Sequence, residues 1–218
     1  MIIDSVAKSL EERVFFELEE EILSGTLKRG DALTELSISE RLGVSRTPVR
    51  GAIHKLVDAG LVELTPNRGT VVIGVTEEDL VDIYKIRMRL EGLASATAAK
   101  TMSEEDVKAL ADSLDLAEFY ISKNDTEHLK ELDSEFHMTI YKATGNRMLC
   151  KVLANLHKTI KLYRKLSLKV EGRLEKSVME HREILDAIKR GDSEAADRLT
   201  SEHIEHALHS ILVAIGKA

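Results

Sequence analysis

From Leu10 to Leu23 the apolar positions Leu10, Val14, Leu18 and Ile22 recur every four residues with glutamates between them, the spacing of an amphipathic helix. Gly25 ends that pattern, and Lys28-Arg29-Gly30-Asp31 reads as a turn. Glu35 to Leu42 predicts a second, short helix stopped by Gly43. Ser45 stands where a cap belongs. Pro48 follows in the first turn, where a missing N–H costs nothing, and Val49, Ile53, Leu56 and Val57 make the buried stripe of a third helix closed by Gly60. The period then changes. Leu61–Leu64 and Thr70–Ile73 are short β-rich runs on either side of Thr65-Pro66-Asn67-Arg68-Gly69, which predicts a two-stranded wing.

Beyond residue 75 no strand pattern appears. Thr76 with Asp79 and Ser103 with Asp106 read as variants of the capping box, and Asp125 and Asp192 as further caps. They divide the region into about six helices, roughly 77–100, 104–122, 126–144, 147–167, 174–190 and 193–215. The expected fold is mainly α: a winged helix-turn-helix over residues 1–74, then an antiparallel all-helical bundle over residues 75–218.

The 218-residue chain is 43% hydrophobic, enough for sizeable cores, and its apolar runs are too short for a membrane helix. Asp4, Glu11 and Glu12 interrupt any signal-peptide pattern at the start. Cys150 is the only cysteine, so no internal disulfide forms, and a cytoplasmic location is expected. Formal net charge is −7. Against that background the stretch 41–57 carries Arg41, Arg46, Arg50 and Lys55 and no acid. A locally basic helix on an acidic chain attracts phosphate while the remainder repels nonspecific DNA. Arg46 and Arg50 lie four apart near the helix N-terminus, the end that recognition helices present to a major groove. An arginine fork matches guanine O6 and N7. Ser45 and Thr47 can donate to phosphate. At the wing tip Arg68 suits a minor groove, and Gly69 allows close backbone approach.

Several separate blocks here resemble one family: Gly25-x-Leu27-x-x-Gly30-Asp31-x-Leu33, Leu42-Gly43-Val44-Ser45-Arg46-Thr47-Pro48-Val49-Arg50-x-Ala52, Gly60-Leu61-Val62 and Asn67-Arg68-Gly69-x-x-Val72. Together they look like the winged helix of the GntR family of bacterial transcription regulators, over about residues 10 to 74. The resemblance implies operator contacts from Arg46, Thr47 and Arg50, with Asn67, Arg68 and Gly69 as the minor-groove tip. Two positions depart from the pattern. Gly51 stands where an acidic residue usually follows the arginine, which removes an expected anchor for Arg50. Leu36 stands where some relatives carry a base-contacting arginine.

In the helical region some polar residues fall on apolar stripes. His137 and Asp133 lie four apart beside Leu129, Leu132, Phe136 and Ile140. His181 falls among Val178, Leu185 and Ile188, His203 among Ala196, Leu199 and Ala207, and Arg87 among Leu80, Ile83, Leu90 and Ala94. Each alone reads as a hydrogen-bonded core residue, and Arg87 equally as a buried ion pair with Glu91 or another acid. Three inward histidines and one carboxylate on three helices point to one shared ion, with Zn or Ni suited to that donor set. Arg87 would then partner a ligand anion. His206 and His209 read as alternates or surface groups, and His54, His128 and His157 as structural or exposed.

This region also resembles the FCD ligand-binding domain of the FadR subgroup, through Arg87-x-x-Leu90-Glu91, Asp133-x-x-Phe136-His137, Gly145-Asn146, Glu180-His181 and Gly191-Asp192 followed by His203. The spacing is similar to the metal-binding type of that domain. The resemblance implies Asp133, His137, His181 and His203 as metal ligands, and an effector pocket reached by Arg87 and Asn146. The implied function is a homodimeric transcription regulator, usually a repressor. It would read a palindromic operator and be controlled by a small organic or sugar acid. A metal-ion sensor is the second reading. A metallohydrolase is remote: there is no His-Glu-x-x-His, no Gly-rich phosphate loop and no nucleophile elbow.

Overall fold

A computed structural model describes residues 9–65, 69–123, 125–160, 163 and 170–216. The chain divides into two compact units, Met1–Asp79 and Leu80–Ala218.

In the first unit α1 (Leu10–Leu23) opens with a capping box: the Ser9 hydroxyl accepts from the Glu12 N–H, and Glu12 accepts from the Ser9 N–H. α2 (Glu35–Leu42) is capped by Thr34 and ends at Gly43, whose φ of 65° is the left-handed conformation that makes the sharp turn into α3 (Arg46–Asp58). The expected two-stranded wing is present, and a third short strand joins its sheet. β1 (Ala32–Leu33) pairs antiparallel with β3 (Gly69–Val72), and β3 pairs with β2 (Val62–Thr65), in the order β1-β3-β2. A two-residue strand has no room to show alternation, so β1 becomes visible only through its partner. Val14, Leu18, Ile22, Leu33, Ile38, Val49, Ile53, Leu56 and Val72 form the core beneath these elements.

The remaining elements are helices: α4 (Glu77–Thr101), α5 (Glu104–Ser122), α6 (Thr126–Ala143), α7 (Arg147–Thr159), α8 (Arg173–Lys189) and α9 (Ser193–Ala214). The predicted caps are in place. Thr76 and Asp79 bond reciprocally, Ser103 accepts from the Asp106 N–H, and Asp125 and Asp192 accept from His128 and Ala195. α7 closes at Thr159, shorter than the expected 147–167; residues 161–162 and 164–167 of that span lie outside the described residues. α5 packs on α6 and α8, α6 on α7, and α8 on α9. Leu114, Leu129, Phe136, Ile140, Leu153, Ile184 and Leu185 fill the main core. A second cluster of Leu80, Tyr84, Ile160, Ile204 and Ile211 includes residues of α4 and α9, the two helices tied by the buried Thr200–Ser95 hydroxyl bond at 2.8 Å.

Leu56 is fully buried between the helices and the sheet of the first unit. Leu56→Ala is expected to cost about 2–5 kcal/mol through lost burial and the cavity left behind. Urea unfolding followed by circular dichroism measures this; a loss below about 1 kcal/mol would mean that the site collapses freely.

Candidate DNA-reading surface and candidate metal centre

Ser45 occupies the N-cap position of α3 with extended backbone, but its hydroxyl makes no capping bond, contrary to expectation. The third helical residue is Pro48, which has no N–H for that hydroxyl to accept from. Ser45, Arg46 and Thr47 are all exposed along the start of the helix. The basic charge of the window is largely neutralised by acids from neighbouring helices: Arg41 bonds Glu21, Lys55 bonds Glu11 at 2.7 Å, and Arg50 bonds Glu35. No ion pair engages Arg46 among the described residues. Gly69 is exposed at the start of β3 with φ of 72°; Asn67 and Arg68 lie outside the described residues.

The Arg50–Glu35 pair is bidentate, Nε to Oε1 at 2.7 Å and Nη2 to Oε2 at 2.8 Å. Arg50 therefore has an anchor, supplied by α2 and not by the residue that follows it. The same bond, aided by nearby Arg46 and His54, lowers the Glu35 carboxyl below its ordinary range. At Gly51 a Cβ would meet the carboxylate end of Glu11, the partner of Lys55, which would have to shift aside.

In the helical unit His137 (α6), His181 (α8) and His203 (α9) converge. All three are buried, and one donor nitrogen from each lies within 4.8 Å of the other two. The Nε2 atoms of His181 and His203 are 3.2 Å apart. Asp133 Oδ1 lies 3.6 Å from His181 Nε2, and Phe136 stacks on the His181 ring at 4.0 Å. Burial, followed by the charges of His137 and Arg173, holds the His203 imidazole well below its usual pKa, so it is neutral, as a metal ligand must be. With Nδ1 of His203 2.7 Å from Glu180 Oε2, its Nε2 lone pair faces His181. Two imidazole nitrogens at this spacing need a proton or a cation between them. Two nitrogens on one tetrahedral zinc are about 3.3 Å apart, so the pair fits such an ion without rearrangement. A crevice of about 20 Å³, bordered by Leu114, Leu129, Asp133, Val178 and His181, reaches this point and has room for about one water. A larger groove of about 940 Å³ between α4 and α9 shares none of these residues.

Arg87 is fully buried and its Nε bonds Glu91 Oε1 at 2.6 Å, which is the ion-pair alternative raised by the sequence. Glu91 Oε2 is 2.9 Å from His137 Nδ1, so the pair is joined to the cluster. Burial alone would push the Glu91 carboxyl up, but the Arg87 guanidinium and His137 outweigh it and hold the carboxyl well below the usual range. Arg87 Nη1 has no hydrogen-bond partner among the described residues. Asn146 is exposed, and its Oδ1 caps α7 by accepting from Met148 and Leu149; it is not brought to the histidines. Three contributors went unseen in the sequence. Glu180 sits directly beside His181 in the chain. Glu35 is fifteen residues from its arginine. His157 is buried, with its ring 5.6 Å from that of His137. His157 follows buried Leu153 by one helical turn, a spacing that could have marked it as inward.

Residues 10–72 match the model of the gntR family of bacterial regulatory proteins, and residues 82–206 that of the FCD domain. The chain belongs to the GntR family. It is 31% identical over 192 residues to the HTH-type transcriptional regulator YdhC of Bacillus subtilis, covering 87% of this chain and 85% of that one. It is 32% identical over 174 residues to the gluconate operon transcriptional repressor of the same organism, covering 80% and 70%. The solved structure of McbR/YncC from Escherichia coli superposes with a TM-score of 0.71 at 25% identity, covering 96% of this chain and 98% of that one. The matched families and relatives are transcription regulators, so this GntR protein is a regulator and not an enzyme. No helix among the described residues is long and apolar enough to cross a membrane.

Glu35 occupies the Arg50 fork that the sequence leads one to expect at a DNA phosphate or base. Glu35→Ala is expected to raise the regulator's affinity for duplex DNA several-fold at low salt, with the gain shrinking as salt increases. Fluorescence anisotropy across a salt series measures it. Unchanged affinity throughout would remove Arg50 from the DNA contact.

Proposed function

We propose that this GntR regulator is a homodimeric repressor of the FadR subgroup, acting in the cytoplasm, with the metal-binding type of FCD domain. Residues 1–74 form the reading head and residues 75–218 the effector-binding and dimerisation domain. Two heads read the halves of a palindromic operator. Arg46 and Arg50 address base edges, Ser45 and Thr47 address phosphate, and Asn67, Arg68 and Gly69 address the minor groove. The observation that carries the effector half of the reading is the convergence of His137, His181 and His203 inside the bundle with Asp133 beside them. These four would hold one divalent ion, Zn or Ni by donor chemistry. When bound, that ion supplies a Lewis-acid anchor for a carboxylate. Arg87, held in place by Glu91, keeps Nη1 for the same anion, while Asn146 stays at the α7 cap away from the histidines. A relative that represses a gluconate operon supports a sugar acid or small organic acid as effector. Such a ligand changes operator affinity only by binding one arrangement of the dimer better than the other.

The Arg87–Glu91 pair also favours a second reading. Because Glu91 already neutralises Arg87, an anionic effector is not needed to explain that charge, and the ion itself could be the signal.

One experiment separates these readings. Elemental mass spectrometry on untagged protein is expected to find about one divalent ion per chain, lost in His137→Ala. Operator binding is then measured with and without the ion, and with an added carboxylate such as gluconate. Response to the acid only in metal-loaded protein supports the effector reading; response to the ion alone supports the sensor. No ion, even after reconstitution, overturns both. For the reading head, Arg46→Ala is expected to weaken operator binding by about 1–3 kcal/mol and to relax discrimination at one base pair. An unchanged sequence preference across a substituted operator set would end the base-contact role of Arg46.

A further inference from the structure

The three clustered histidines do not reach their common point unaided. A neutral imidazole has one lone pair, and the hydrogen bond at one nitrogen decides that the other carries it. An ionised carboxylate can only accept, so a ring nitrogen facing one must bear the proton. His203 Nδ1 hydrogen-bonds Glu180 Oε2 at 2.7 Å, and His137 Nδ1 lies at ion-pair distance, 2.9 Å, from Glu91 Oε2, an oxygen that makes no hydrogen bond of good geometry among the described residues. Each carboxylate is in turn gripped by a buried arginine: Arg87 Nε on Glu91 at 2.6 Å, and Arg173 Nη1 on Glu180 at 2.9 Å. An Arg–Glu–His arrangement thus occurs twice, hydrogen-bonded throughout at Glu180 and with an ion-pair contact as its last link at Glu91. Arg87 and Glu91 are one turn apart on α4, and Arg173 and Glu180 are two turns apart on α8. Glu180 also accepts from His206 Nδ1 at 2.8 Å, which fixes its second oxygen. A buried arginine needs a counter-charge, but not one that also addresses an imidazole. The second oxygen of Glu91 and the shared oxygen of Glu180 are used for that.

We infer that Glu91 and Glu180 are positioning residues, each turning the Nε2 lone pair of its histidine toward the shared point. The inference rests on the metal reading above. It adds that the affinity of the site is set on α4 and α8 by groups that never touch the ion. Outer carboxylates of this kind make the ligating imidazole more basic, and losing one typically weakens binding by about 10–100-fold.

The test uses Glu180→Gln and Glu91→Gln in the full-length protein with cobalt(II) as the probe. Three quantities are read: cobalt affinity by competition with a chromophoric chelator, the visible cobalt spectrum, and the imidazole tautomers of metal-free protein by long-range proton–nitrogen correlation. Wild type is expected to show protons on Nδ1 of both His137 and His203. In the variants cobalt binding should weaken by about 10–100-fold with an altered spectrum. In Glu180→Gln the fixed tautomer of His203 should be lost while the thermal midpoint of chelated protein stays close to wild type. That last pattern excludes a purely packing role. If Glu91→Gln fails to fold, Glu180→Gln decides, since its carboxylate is only partly buried at 12% exposure. Wild type that binds cobalt, together with variants matching it in affinity, spectrum and tautomer, overturns this inference alone. Wild type that takes up no cobalt overturns the inference and the metal reading together.

Discussion

A guanidinium and a carboxylate, Arg87 and Glu91, are enclosed almost completely within the helical unit. Charges so buried are tolerated only when paired and hydrogen-bonded, and removing one partner of such a pair costs about 3–5 kcal/mol. That constraint orders the polar interior around it. Glu91 stays ionised beside Arg87, and its remaining oxygen lies 2.9 Å from His137 Nδ1, an ion-pair contact rather than a hydrogen bond. His137 then meets His181 and His203, which arrive on two other helices. Apolar packing by Phe136, Leu185 and their neighbours brings the helices together, but the ion pair decides which way the polar groups among them point.

The DNA-reading unit obeys a milder version of the same rule. Its basic stretch carries less available charge than its sequence suggests, because Glu11, Glu21 and Glu35 pair with Lys55, Arg41 and Arg50. These pairs are exposed and add little to stability. Their effect is on what is left over: Arg46 remains without such an ion pair among the described residues.

Features governed by neighbours in the chain were legible in advance. The apolar stripes, the Thr76, Ser103, Asp125 and Asp192 caps and the turn at Gly43 all follow from side chains within a helical turn of one another. The inward direction of His137, His181, His203 and Arg87 was legible too, since helical period alone shows it. Features that depend on distant partners were not. β1 exists because β3 lies beside it, and Arg50 is anchored by a residue on another helix. The hydroxyl of Ser45 makes no cap bond; Pro48 at the third helical position removes one of the two N–H groups it could accept from, which emerges only once the helix start is fixed. Glu91 and Glu180 were visible as residues, while their roles depended on which histidine each would face.

The bond between Arg50 and Glu35 bears on how such proteins are rebuilt. Recognition helices are often treated as interchangeable parts, moved between scaffolds to redirect binding. Here the anchor of Arg50, which we propose as a reading residue, sits on the preceding helix. A graft of α3 alone would carry the reader without its holder, and would exchange a restrained arginine for a mobile one. The smallest transferable module is the pair of helices with the turn at Gly43 between them, and altered specificity at position 50 has to be sought jointly with position 35.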